Sequence, residues 1–132
     1  MPEKKRFISV TIFCLYLAAV AFLCFAKPED IPQLPTSWFG LPADKVGHFL
    51  MFAPFPLLAY TVFENSDMST ARKLSILAVI LCFGIGMASG TEKIQAALAY
   101  REASMDDFIA DMTGLAVGGV ATIIYIFTKR KK

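Results

Sequence analysis

Four stretches of this chain, residues 7–26, 46–63, 74–91 and 108–128, contain no lysine, arginine or glutamate, and among them a single aspartate. Each is about 18–21 residues long, which as a helix rising about 1.5 Å per residue spans roughly 30 Å, the thickness of a bilayer's hydrocarbon core. Together they take up about 77 of the 132 residues, so one membrane domain covering 1–132 is expected, with no room for a soluble one. Charged residues make up 18% of the chain, against about 25% in an ordinary soluble domain. These features exclude a cytosolic enzyme, a secreted disulfide scaffold and a nucleic-acid binder. The expected fold is all-α, a four-helix transmembrane bundle whose partner is the lipid bilayer.

Lys4, Lys5 and Arg6 precede the first apolar run in the manner of a signal peptide. A signal sequence has an apolar core of about 7–15 residues, and this run is 20 residues long, which predicts an uncleaved anchor. A lipoprotein box at Cys24 fails because bulky Leu23 precedes it. Cys14, Cys24 and Cys82 all fall within spans, where a free cysteine behaves as a small apolar side chain, and an odd number implies no disulfide framework.

The positive charges set the orientation. Nine Lys and Arg residues lie in the N-terminus, the middle loop (Arg72, Lys73) and the tail, against four (Lys27, Lys45, Lys93, Arg101) in the other two loops. The positive-inside rule then predicts cytoplasmic termini and outward-facing first and third loops, in a multi-pass protein of the cytoplasmic (inner) membrane. The first outer segment, residues 27–45, carries four of the seven prolines and should be extended and rich in turns. Its Trp38, Phe39 and Leu41 suit the headgroup region, as a plain interfacial anchor or as a lid. Pro54 and Pro56 predict a kink in span two, tolerated where neighbours satisfy the freed carbonyls.

The remaining polar residues gather at the outward ends of the spans: Asp44, Lys45 and His48; Glu92 and Gln95; Arg101, Ser104, Asp106, Asp107 and Asp111. Ionisable groups in or beside a span are costly and usually face a bundle interior or a wet cavity, so this concentration marks a candidate site. Asp107, Asp111, Gly114 and Gly118 recur at intervals of 4, 3 and 4, which places them on one helix face. Gly86 and Gly90 repeat the four-residue spacing on span three, and small residues so spaced let helix backbones approach closely. Spans three and four are therefore expected to pack through these glycines, with Glu92 and Asp111 near one cavity.

Each polar residue has a chemical and a structural reading. His48, the single histidine, suits a general acid or base, or a helix-end hydrogen bond to a loop carbonyl. Glu92 can act with it or form an ion pair with Arg101 or Lys45. Ser104 and Asp107 fit a capping box at the start of span four, whose free N–H groups, with Lys45 and Arg101, can also receive a phosphate. Asp106 and Asp107 oppose a pure phosphate clamp, and a hard cation held by Asp107, Asp111, Glu92 or His48 would resolve that conflict. No local spacing is diagnostic of a metal, so no metal or other cofactor is assigned. Asp111, near Asp107, is expected to be protonated or paired with Arg101, Lys45 or a cation. No motif of nucleophilic catalysis or nucleotide binding is present.

The joint spacing of DKVGHFLMF (44–52), GTEKIQ (90–95), REASMDD (101–107) and DMTGLAVG (111–118) resembles the signature of the VanZ-like family of small membrane proteins. The matching positions are Asp44, Lys45, His48, Phe49, Glu92, Gln95, Arg101, Ser104, Asp107, Gly114 and Gly118. One position departs: Asp111 stands where the family pattern has Asn, which bears on the charge of the site and not on its geometry. The family is named for a member associated with resistance to teicoplanin-type glycopeptides, which target lipid-linked wall precursors. Residues and resemblance together lead to the expectation of an envelope protein that binds or modifies an amphiphilic molecule, such as a lipid-linked precursor, at an outward polar pocket. His48, Glu92, Asp107 and Asp111 are the candidate catalytic groups, and Asp44, Lys45, Gln95, Arg101 and Ser104 the candidate ligand-binding ones. The competing expectation is a non-catalytic binding or assembly module whose polar cluster locks the helices. A small transporter ranks third, since only Asp111 among the acids lies inside a span.

Overall fold

Where the chain is apolar for about 20 residues its backbone must satisfy its own hydrogen bonds in lipid, and helix is the form that does so within one segment. The computed structural model, which describes residues 2–25, 37–38, 40–97 and 105–130, has this architecture. Helix α1 covers Glu3–Phe25, α2 Ala43–Phe52, α3 Phe55–Phe63, α4 Thr70–Ala97 and α5 Met105–Arg130. Helices α2 and α3 together make one crossing, Lys45–Phe63, so four segments are long and apolar enough to span a membrane. Helices α4 and α5 overrun their uncharged stretches at both ends, and α1 and α2 begin ahead of theirs, because polar residues continue a helix readily once it is nucleated. Ahead of α2, Ser37–Trp38 (β1) pairs antiparallel with Leu41–Pro42 (β2), and Gly40 carries the turn at φ 78°. Most of the proline-rich first loop, Phe39 included, lies outside the described residues, as do the side chains of Trp38 and Leu41.

At the expected kink in span two the helix is interrupted between α2 and α3, although Ala53 N–H still donates to the Phe49 carbonyl at 2.9 Å and Pro54 keeps helical angles. Pro54 and Pro56 lack the N–H groups that the carbonyls of Leu50 and Phe52 would receive in an unbroken helix. The intervening carbonyl, that of Met51, accepts the hydroxyl of Tyr16 from α1, so a neighbouring helix supplies a donor at the break. On the far side of span two, Asp67 N–H bonds the Asn65 side chain at 3.1 Å in a short turn. Ser69 then caps α4 by accepting the Arg72 N–H at 3.2 Å.

Helix α5 is the hub, packed against α2, α3 and α4, while α1 lies mainly against α3. The core consists of Phe52, Phe55, Ala59, Tyr60, Ile80, Ala88, Leu115 and Ile126. Phe13 of α1 closes onto Phe55, with ring centroids 5.9 Å apart. Outside this core, Phe7, Leu15, Val79, Phe83 and Ile124 project outward, an apolar exterior that water would not tolerate and lipid does.

The glycine stripe of α5 faces a different neighbour from the one expected. A Cβ on Gly114 would stand 3.0 Å from the backbone N of Ala53, and one on Gly118 would collide with the Ala53 carbonyl and lie 2.7 Å from Pro56 Cδ. Gly86 and Gly90 have nothing within 4 Å of a Cβ. The small residues of span four therefore admit the backbone of span two around the α2–α3 junction. Helices α4 and α5 meet instead through Leu115 against Gly84 and Leu81 against Gly119.

Candidate functional site

Because α2 and α5 run side by side in the same direction, residues at matching depths meet in pairs. At the first level Lys45 forms an ion pair with Asp107. One turn deeper, His48 Nδ1 and Asp111 Oδ1 are hydrogen-bonded at 2.9 Å. Deeper still come Gly114 and Gly118 against the helix break. A single seam is thus polar at one end and bare backbone below, from the 3-4 spacing of Lys45, His48 and Phe52 on one helix and Asp107, Asp111, Gly114 and Gly118 on the other.

Helix α4 brings the third side. Ligand atoms of His48, Glu92 and Asp111 all lie within 4.8 Å of one another, so the expected proximity of Glu92 and Asp111 is present. Asp111 is 0% exposed and Asp107 6%, whereas Lys45 keeps 27% of its side chain accessible. Asp111 Oδ2 is buried with no hydrogen-bond partner among the described residues. An acceptor in that condition costs about 1–3 kcal/mol. Lys45, His48, Glu92, Asp107 and Asp111 therefore gather at this end of the bundle, an arrangement able to hold a cation, orient an anion through Lys45, or pass a proton through His48.

Gln95 occupies a separate place. It is 2% exposed, and its Nε2 donates to the Cys24 carbonyl at 3.0 Å, near the C-terminus of α1 where carbonyls lack helical partners. It ties α4 to α1, and its Oε1 is buried with no partner among the described residues. Asp44 stands in the first turn of α2, and its side chain is outside the described residues, as are Arg101 and Ser104. Helix α5 begins at Met105, directly after Ser104.

Two relationships went unread in the sequence. Asp111 was expected to be protonated or paired with Arg101, Lys45 or a cation, and the partner the fold gives it is His48. At the opposite end of the bundle, Glu64 accepts the Tyr125 hydroxyl at 2.8 Å and forms an ion pair with Lys129. Lys129 also donates to the Tyr125 hydroxyl at 3.0 Å and lies 5.3 Å from its ring centroid. Burial opposes ionisation of Glu64, but the hydrogen bonds from Lys129 and Tyr125, and the charges of Lys129 and Lys5, outweigh it and hold the carboxyl below its ordinary range. The 4-residue spacing of Tyr125 and Lys129 was visible, and nothing local announced Glu64 as their shared acceptor.

Comparison with known proteins places this architecture. The chain is 32% identical over 116 residues to an uncharacterized protein of the yeast Schizosaccharomyces pombe, covering 88% of this chain and 63% of the relative. It thus spans less than two thirds of that relative's length. No solved structure matches the chain. The family model described as VanZ/LLP1 matches residues 8–127, a range that takes in the α2–α5 seam and Glu92 and reaches into all four spans. On that match, the chain belongs to the VanZ/LLP1 family.

Proposed function

We propose that this protein lies in the cytoplasmic membrane with both termini inside, and that its polar cluster binds the anionic headgroup of an amphiphilic envelope molecule at the outer leaflet. One observation carries the reading: Lys45, His48, Glu92, Asp107 and Asp111 converge from three helices at a single end of a bundle whose flanks are apolar. A molecule with a charged head and an apolar tail meets both surfaces at once. Lys45 is the cation placed to receive the head, with Arg101 as the second cation assigned to it from the sequence. His48, hydrogen-bonded to Asp111 and close to Glu92, is the group equipped to move a proton on such a molecule. Where the molecule is a lipid-linked wall precursor, the reading extends to resistance against glycopeptides of the teicoplanin type.

A second reading has its own support. The Lys45–Asp107 and His48–Asp111 contacts join α2 to α5, and Gln95 joins α4 to α1, as they would in an assembly module whose cluster only locks helices. Native mass spectrometry of the protein extracted with its lipids separates the two. Retention of a lipid with one kind of anionic headgroup supports the first reading, and a bare chain supports the second.

A further inference from the structure

We infer that His48, Glu92 and Asp111 form a binding site for one divalent transition-metal ion, of the Zn2+ or Mn2+ class. The three residues come from α2, α4 and α5, so the site is made by tertiary packing and leaves no motif within any one segment. Their ligand atoms lie within 4.8 Å of one another. An ion with bonds of about 2.1 Å sets its ligands about 3.4 Å apart in a tetrahedral site, a closure that small side-chain rotations supply.

A second, independent feature points to a cation at the same place. Asp111 is fully buried, and while its Oδ1 is hydrogen-bonded to His48, its Oδ2 is sealed from solvent with no partner among the described residues. A carboxylate oxygen at this depth is costly unless a positive centre meets it. The donor set selects the ion. Mg2+ and Ca2+ favour all-oxygen shells, whereas imidazole joined to carboxylates suits Zn2+ and neighbouring transition metals. Three protein ligands leave a coordination position for water or for an anionic oxygen. Such an ion would also balance the excess of carboxylate beside any anionic headgroup, although the site does not depend on that reading.

The full chain, purified in a non-ionic detergent and stripped with chelator, is dialysed against Zn2+, Mn2+ or Mg2+ at one free concentration, and its metal content is measured. The expected result is about one Zn2+ or Mn2+ per chain and little Mg2+. His48→Ala and Glu92→Gln should each lower affinity by at least about tenfold. Asp111→Asn should lower it as well, since a neutral amide oxygen is a weaker ligand than a carboxylate. Glu64→Gln, at the opposite end, should leave it unchanged. Glu92→Gln and Asp111→Asn are nearly isosteric, so they keep the test informative if His48→Ala fails to fold. A wild-type chain without bound metal, equal loading with Mg2+, or metal that survives both Glu92→Gln and Asp111→Asn would overturn the assignment. No lipid enters the assay, so it can fail while the headgroup reading stands, and the reverse.

Discussion

His48 sits between two aspartates one turn apart on α5, its Nδ1 2.9 Å from Asp111 Oδ1 and its Nε2 3.6 Å from Asp107 Oδ2. One ring nitrogen is thereby within hydrogen-bonding distance of Asp111, and the other faces Asp107 just beyond that distance. Any role for His48, in proton handling or ligation, is exercised beside these two carboxylates and that of Glu92.

Asp111→Asn retains an oxygen that can accept the His48 N–H, while Asp111→Leu leaves that N–H with nothing. The Leu variant should lose about 1–3 kcal/mol of stability, and the Asn variant should stay close to wild type in thermal unfolding and keep most of any lipid retention. Equal loss in both would mean that the charge of Asp111, rather than its acceptor geometry, holds the seam.

The glycines provide a sharper contrast. Gly118→Ala drives a methyl into the Ala53 carbonyl and Pro56, neither of which is a flexible side-chain end, and should destabilise by about 1–3 kcal/mol. Gly86→Ala and Gly90→Ala meet open space and should be neutral or stabilise by up to about 1 kcal/mol through helix propensity. Thermal melts of the three variants in one detergent check this. A destabilised Gly86→Ala beside a tolerant Gly118→Ala would return the close contact to α4 and α5.

Glu64 makes stability depend on pH at the other end of the bundle. Its folded-state pKa is lowered, so its contribution is fully present above the ordinary carboxylate pKa and is lost as pH falls through the lowered folded value. Wild-type melting temperature should therefore fall with acidification through that window, and Glu64→Gln should be less stable at neutral pH and flatter across it. A Gln variant with the same acid slope would remove Glu64 as the cause.

Orientation is testable by labelling. In a chain with Cys14, Cys24 and Cys82 replaced, cysteines introduced at Ser37 and Ala103 should react with an impermeant thiol reagent applied to intact cells or spheroplasts, and one at Ser69 should be protected. The reverse pattern would put the polar cluster in the cytoplasm.

The four crossings were legible because lipid imposes a length and a composition that each span must meet alone. The break at Pro54 and Pro56 was legible for a similar reason, since a missing N–H is a local fact. Spacing also placed Asp107, Asp111, Gly114 and Gly118 on one face. What spacing leaves open is which helix that face meets: α2 and α3, rather than α4, lie against it, and only the packed bundle decides that. The pairing of His48 with Asp111 and the meeting of Glu64 with Tyr125 and Lys129 were hidden for the same reason, each joining residues more than 60 positions apart in the chain.

The most direct test of the central claim, that the cluster is a site rather than a clasp, is native mass spectrometry of His48→Ala beside wild type, with both extracted and handled identically. The account predicts that the variant stays folded, with the charge-state distribution of wild type, and loses the headgroup-specific lipid that wild type retains. A variant that keeps the same lipid, or a wild type that carries none, would contradict it.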